Sequence, residues 1–238
     1  DSISQIVLGS ALAAAIAPRG HRRAALLAGA ALGTLPDLDN LVLLALTDNP
    51  VTLMTVHRSA SHSLFVLPLV GTLIWWLFKR FGNGRVAQAP GRWWWAILAA
   101  LVTHPVLDAF TVYGTQVWWP LPVTPSVWGG VFIIDPLYTV PLLIGCVLAW
   151  WARSRPLAQR ALVASLLISS GYLGWSMLAK ALVEQRARQD LAAEGITEVR
   201  VMAAAQPFTT LLWRVVAVGQ DSYWIGERSL VADRGAMH

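Results

Sequence analysis

A single cysteine, Cys146, stands in 238 residues. It excludes an intrachain disulfide and argues against a cysteine-held zinc. Inside its apolar run it reads as a small buried hydrophobe. Charge is equally scarce, with Asp, Glu, Lys and Arg together at 13% of the chain. No Gly-rich phosphate loop, Gly-x-Ser-x-Gly elbow or His-Glu-x-x-His occurs, so three common catalytic frameworks lose their usual carriers. The first apolar stretch begins directly after Asp1 without a basic flank, and no cleavable secretion signal is expected from it.

What the chain does have is grease. Hydrophobic residues make up 56%, thirteen are Trp, and the mean hydropathy is +0.55. Long apolar runs with basic punctuation are the profile of an all-α polytopic membrane protein. About six transmembrane helices are expected, at roughly 3–17, 24–46, 62–78, 93–110, 132–151 and 157–178, the last continuing as an amphipathic stretch to 193. Pro36 should break the second segment, because it removes a backbone donor and disfavours helix at Leu35. A broken helix at membrane depth is tolerated where it lines a cavity or site. From about residue 195 the character changes. The stretches 196–201, 207–218 and 223–231 are rich in β-branched and aromatic residues, with Gly219-Gln220-Asp221-Ser222 as a hairpin turn. A helical unit over 1–194 and a small C-terminal β appendage over 195–238 are expected. Ala236-Met237-His238 is either native or an appended remnant.

The net charge of +5 does not point to nucleic acid, since the basic residues sit beside apolar segments. Ten of eighteen fall in 18–23, 79–92 and 153–160, where none of the thirteen acids lies. With six spans these three connections share the cytoplasmic side. The other end then gathers Asp1, His57, His62, His104, Asp108 and Asp135, with Asp37 and Asp39 somewhat deeper.

Three motifs hold most of the chemistry: Pro36-Asp37-Leu38-Asp39, His57-Arg58-Ser59-Ala60-Ser61-His62-Ser63 and His104-Pro105-Val106-Leu107-Asp108. His104 and Asp108, four apart, stack on one helix face. His57 and His62 would diverge in a continuous helix, so they converge only if His57 lies in a turn before it. Ser59, Ser61 and Ser63 make a helix start near His62 plausible, with amide groups and Arg58 available to an anion. Asp37 and Asp39 repel unless a cation or proton separates them. Burying such groups near lipid is costly, and a divalent metal is the simplest compensation. Asp135 is expected to cap a helix. His21 reads as solvated, and the acids between Glu184 and Glu198 as a solvated helix face.

Taken in order with Thr111-Val112-Tyr113-Gly114-Thr115-Gln116, Ile133-Ile134-Asp135-Pro136-Leu137-Tyr138, the opening Asp1-Ser2-Ile3-Ser4-Gln5 and the late Leu211-Leu212-Trp213-Arg214, these motifs resemble the YdjM-like family. Its members are bacterial inner-membrane proteins with an inferred metal-dependent hydrolase activity. The resemblance implies a distant relation to zinc-dependent phospholipase C and the P1-type nucleases. It implies metal ligation by Asp39, His57, His62, His104 and Asp108, with Asp37 less firmly included. Gln5 departs from the His expected there, which leaves either one ligand fewer or a supporting role for Gln5.

The expected function is hydrolysis of a phosphoester in a lipid or lipid-linked substrate at the extracytoplasmic face. One or two Zn²⁺ ions, or Mn²⁺ or Fe²⁺, would activate water. Asp37 would act as general base, and Arg58 with a helix N-terminus would stabilise phosphate oxygens. The alternatives are a metal or proton transporter, and a non-catalytic scaffold whose metal ties helices together. Partners beyond membrane lipid and substrate are not indicated.

Overall fold

The computed structural model describes residues 2–233. Asp1 and the closing Ala236-Met237-His238 lie outside the described residues. The chain is mostly helical, with one small sheet at its C-terminal end. Helix α1 (Ser2–Ile16) runs antiparallel to α2 (Arg22–Thr34), which leads through a 3₁₀ turn (Leu35–Leu38) into α3 (Asp39–Leu46) and then α4 (Pro50–Val56). A second 3₁₀ turn (Ala60–His62) precedes α5 (Val66–Phe81), the short α6 (Arg85–Gln88) and α7 (Pro90–Ala109). An irregular connection leads to α8 (Pro136–Ala152) and the 38-residue α9 (Pro156–Ala193).

The helices fall on the six apolar segments, and the break at Pro36 is present as the 3₁₀ turn. Span length is another matter. Among the described residues, two stretches, Arg19–Leu46 and Pro156–Ala193, are long and apolar enough to cross a membrane. Ser2–Ile16 and Pro136–Ala152 are shorter apolar helices. At 1.5 Å per residue a 15-residue helix covers about 22 Å, short of a ~30 Å hydrocarbon core.

Glycine lets α1 and α2 touch backbone to backbone. A Cβ on Gly9 would collide with the Gly29 carbonyl oxygen, and one on Gly33 with that of Gln5. Small residues at such a crossing are the usual device of lipid-embedded helix pairs. The consequence is functional, because this crossing carries Gln5 and Gly33 to the same level. α7 packs on α1 and α2, while α8 packs on α9 and α1. Outward faces stay apolar: Leu41, Val42, Leu69, Leu73, Leu167 and Ile168 are all exposed. So large an apolar surface on a folded chain needs a covering, whether lipid or another protein.

The far half of α9 carries a buried stripe, Ala179, Val183, Ala187 and Leu191, spaced four apart so that it faces one way. Against it lies an antiparallel sheet in the order β1 (Arg200–Ala205), β2 (Leu212–Val218), β3 (Tyr223–Ser229). Val201, Ala203, Trp213, Val215 and Ala217 fill the interface, alternating along the strands as a half-buried sheet requires. The hairpin turn is where the residues placed it, with Gly219 N–H donating to Ser222 O at 2.9 Å. The first strand starts at Arg200, later than expected, and residues 207–211 are not strand. The acids of α9 are not simply solvated. Glu184 accepts from the Ala203 amide at 3.1 Å, and Asp190 accepts from Arg228 at 2.6 Å.

Candidate metal centre

The 3₁₀ turn after α2, the 3₁₀ turn before α5 and the last turns of α7 meet at one end of the bundle. They bring Asp37, His62, His104 and Asp108 together, with ligand atoms all within 4.8 Å of one another. His62 Nε2 and His104 Nε2 lie 3.1 Å apart. Asp37 Oδ1 is 3.4 Å from each. Asp108 Oδ2 is 3.2 Å from His62 Nε2 and 3.7 Å from His104 Nε2. Ligands at ~2.0–2.1 Å around a tetrahedral zinc are separated by roughly 3.3–3.4 Å. The observed edges bracket that value.

Hydrogen bonds set the imidazole tautomers. His104 Nδ1 lies 2.6 Å from the Gly33 carbonyl oxygen, which can only accept, so Nδ1 carries the proton and Nε2 its lone pair. The Ser61 hydroxyl donates to Asp39 Oδ2, leaving its oxygen to accept from His62 Nδ1 at 2.9 Å. His62 Nε2 therefore also presents a lone pair inward. Two such lone pairs 3.1 Å apart repel unless a cation or a proton sits between them. Fixing the outer nitrogen in this way is how metal-binding histidines are oriented.

Asp108 is set in the same manner. Gln5 Nε2 donates to Asp108 Oδ1 at 2.9 Å and to the His104 carbonyl at 3.1 Å. Asp108 Oδ2 is buried with no hydrogen-bond partner. A carboxylate oxygen that makes no hydrogen bond, has only the Arg58 guanidinium beside it at 3.2 Å and faces two imidazole lone pairs fits a cation. The donor set, two nitrogens and two carboxylates without sulfur, suits Zn²⁺, Mn²⁺ or Fe²⁺.

The sequence-derived residues divide. His62, His104 and Asp108 meet as expected. Asp37, expected as a base, stands among the four, while Asp39 and His57, expected as ligands, stand beside them as a pair with His57 Nδ1 2.8 Å from Asp39 Oδ1. Residues two apart on a helical turn do not share a face, so Asp37 meets His62 and His104 while Asp39 meets His57. His57 does sit in the turn before the helix, its ring centroid 5.6 Å from that of His62.

Arg58 is buried beside the cluster. Its backbone φ of 63° is a left-handed conformation that side chains with a Cβ rarely adopt. It is held by Gln116 N–H donating to the Arg58 carbonyl at 3.0 Å. The guanidinium lies 4.3 Å over the Tyr113 ring, with Nε 3.2 Å from Asp108 Oδ2. Neither Nε nor Nη1 makes a hydrogen bond. The expected helix N-terminus for an anion is not at His62. α5 begins at Val66, and Ser63 Oγ already accepts from the amides of Phe65 and Val66. Asp135 stays apart, capping α8 through Leu137 N–H and accepting from Tyr172.

The sequence reading assigned no role in the site to Gly33 or Tyr113, read Ser61 as part of a helix start rather than as a partner of His62 and Asp39, and left Gln5 open. Only Gln5 carried a signal, as a polar residue in an apolar helix.

Access is one-sided. The His62 and His104 side chains are fully buried, while Asp37 keeps 23% exposure and Asp39 20%. Asp37 is therefore the member of the four that solvent reaches.

Comparison with known proteins gives a family match. The profile described as YdjM inner membrane protein matches residues 1–183, which includes every residue of the centre. The match ends within α9, so the sheet and Leu211-Leu212-Trp213-Arg214 lie beyond it. No curated protein and no solved structure matches the chain.

Proposed function

The chain belongs to the YdjM inner membrane protein family, and from that premise we propose that it is a membrane-embedded, metal-dependent hydrolase cleaving phosphoesters of lipid or lipid-linked substrates. The observation that carries the proposal is the facing pair of imidazole lone pairs closed by Asp37 and the Asp108 oxygen that makes no hydrogen bond. When bound, a divalent ion there supplies Lewis-acid activation of water and of a phosphoryl oxygen. Asp37, His62, His104 and Asp108 hold it, and Gln5 keeps Asp108 turned inward.

The proton acceptor in this reading is His57 rather than Asp37. Asp39 fixes the His57 Nδ1 side at 2.8 Å, which leaves Nε2 to take a proton from water and return it to the leaving alkoxide. The P–O bond to the water oxygen forms as the P–O bond to the alcohol breaks. Arg58, stacked on Tyr113 and with Nη1 making no hydrogen bond, is positioned for charge on the phosphoryl oxygens. Its planar guanidinium suits that role.

Depth favours a lipid substrate. From Trp93 to His104 the α7 axis rises about 16 Å, near half of a ~30 Å hydrocarbon core. Asp39 opens α3, which has no buried residue and exposes Leu41, Val42, Leu44 and Leu46. Acyl or prenyl chains can reach the site from that side. The six helices together form the membrane unit, with the metal centre toward the extracytoplasmic side and the arginine-rich end in the cytoplasm. Chemistry at a centre of this kind also underlies the proposed distant kinship with zinc-dependent phospholipase C.

The test is hydrolysis of a bis-aryl phosphate and of a fluorescent phospholipid by the purified protein in micelles. Expected are loss with chelator, recovery with Zn²⁺ or Mn²⁺, loss of metal and activity in His104→Ala, and loss of activity with metal retained in His57→Ala. Hydrolysis that persists in His104→Ala overturns the proposal. Metal flux into proteoliposomes without hydrolysis replaces it with the transporter.

A further inference from the structure

The opposite end of the bundle holds a second unusual site. The connections 18–23, 79–92 and 153–160, rich in basic residues and free of acids, are tied to one another there. His21 Nε2 meets Gln88 at 3.0 Å, and its Nδ1 accepts from Trp93 Nε1 at 3.1 Å. Ser154 Oγ donates to the Arg19 carbonyl at 3.2 Å. His21, read from the sequence as solvated, is thus a joint between connections.

Arg22 sits at the centre of this end with 1% exposure. Nη1 donates to the Arg153 carbonyl at 2.5 Å and Nη2 to Gln159 Oε1 at 2.6 Å. Nε is buried and unpartnered. Among the described residues, none of its hydrogen bonds goes to a carboxylate. A buried guanidinium is ordinarily paired with an anion, because neutral acceptors offset its desolvation poorly. Two clefts open beside it. One, of about 210 Å³, is lined by Arg19, Arg22, Arg23 and Arg153. The other, of about 440 Å³, is lined by Arg19, Arg92 and Gln159. They share Arg19, and Gln159 joins the second to Arg22. The α2 helix also begins here, at Arg22, with no side-chain cap, so its dipole adds positive potential.

We propose that this end is a binding site for a phosphate-bearing anion, the headgroup of an anionic membrane phospholipid, held by Arg19, Arg22 and Arg92. A phosphate accepts several guanidinium N–H groups at once, which supplies the counter-charge that the protein itself withholds. The leaflet is the natural source. Trp95, Trp151 and Leu157 are exposed in the same region, as expected of residues at a membrane interface. Basic pockets between membrane helices are a recurrent form of such sites.

Arg22→Gln also removes the clasp on Arg153, so the experiment uses the double variant Arg19→Gln/Arg92→Gln. Full-length protein in neutral micelles is titrated with phosphatidylglycerol, phosphatidylcholine or inorganic phosphate, and binding is read by native mass spectrometry and by the thermal midpoint. The expected result is saturable phosphatidylglycerol binding, roughly tenfold or more weaker in the double variant, with phosphatidylcholine weaker in both and metal content unchanged. Saturable inorganic phosphate binding that the double variant loses supports the same site with a soluble anion as its source. Equal binding of phosphatidylglycerol by wild type and double variant, or no preference over phosphatidylcholine, overturns it. Neither outcome depends on hydrolysis, so failure here leaves the metal centre standing.

Discussion

At one end of the bundle, four ionisable side chains from three chain segments face one another across less than 5 Å. At the other, arginines gather around the buried Arg22, with no carboxylate among its bonds to the described residues. The first end brings both carboxylates and imidazoles and orients lone pairs inward, which suits a cation. The second brings arginines whose acceptors are neutral, which suits an anion. Arg58, 3.2 Å from Asp108, offsets only part of the charge at the first end, and the acceptors of Arg22 at the second are neutral. A buried charge lacking its partner is expensive, so each end specifies the sign of what must bind there.

Variants can break that contrast, beginning with the largest effect. His104→Ala or Asp108→Asn should abolish near-stoichiometric metal, by roughly a hundredfold or more in affinity, while Arg19→Gln/Arg92→Gln leaves metal content unchanged. Elemental analysis of the purified proteins reads both. Loss of metal in the arginine variant would mean that the two ends are not independent. Next, Gly33→Ala forces a Cβ into the Gln5 backbone and shifts the carbonyl that holds His104. Overpacking costs about 1–3 kcal/mol, so the thermal midpoint should fall together with metal affinity. A midpoint that falls while metal stays would detach the α1–α2 crossing from the site.

Gln5→Leu should weaken metal binding by about 10–100-fold without unfolding the chain, the usual cost of losing a hydrogen bond behind a ligand. A competitive chelator titration measures it, and an unchanged affinity would dismiss Gln5 as an orienting group. The smallest effect belongs to Tyr113→Leu. Removing the ring under Arg58 should cost about 0.5–2 kcal/mol, seen as a several-fold lower turnover at constant metal content. An unaltered rate would remove Arg58 from the chemistry.

These contrasts were partly legible in the sequence. Positive punctuation without acids gathered one end, and apolar runs with scarce histidines marked the other, because burying charge near lipid leaves few arrangements open. The choice between Asp37 and Asp39 was not legible. Both belong to one four-residue motif, and the 3₁₀ turn at Leu35–Leu38 decides which faces inward. Ser61 and the Gly33 carbonyl were hidden for another reason. They act on His62 and His104 through tertiary approach, and a backbone carbonyl leaves no mark in a sequence. Of the six expected spans, two are long and apolar enough to cross by themselves, since apolar pattern reports burial in lipid or in protein alike. Strand β1 was placed early because Ala203, Ala204 and Ala205 carry little β signal.

The central claim is that a cation is held by these four residues. A metal-edge anomalous difference map of the crystallised protein tests it most directly. The account predicts a peak about 2.0–2.2 Å from Asp37, His62, His104 and Asp108, with none among the arginines around Arg22. A peak held by Asp39 and His57 without His104, or no peak in protein that retains metal by elemental analysis, would contradict it.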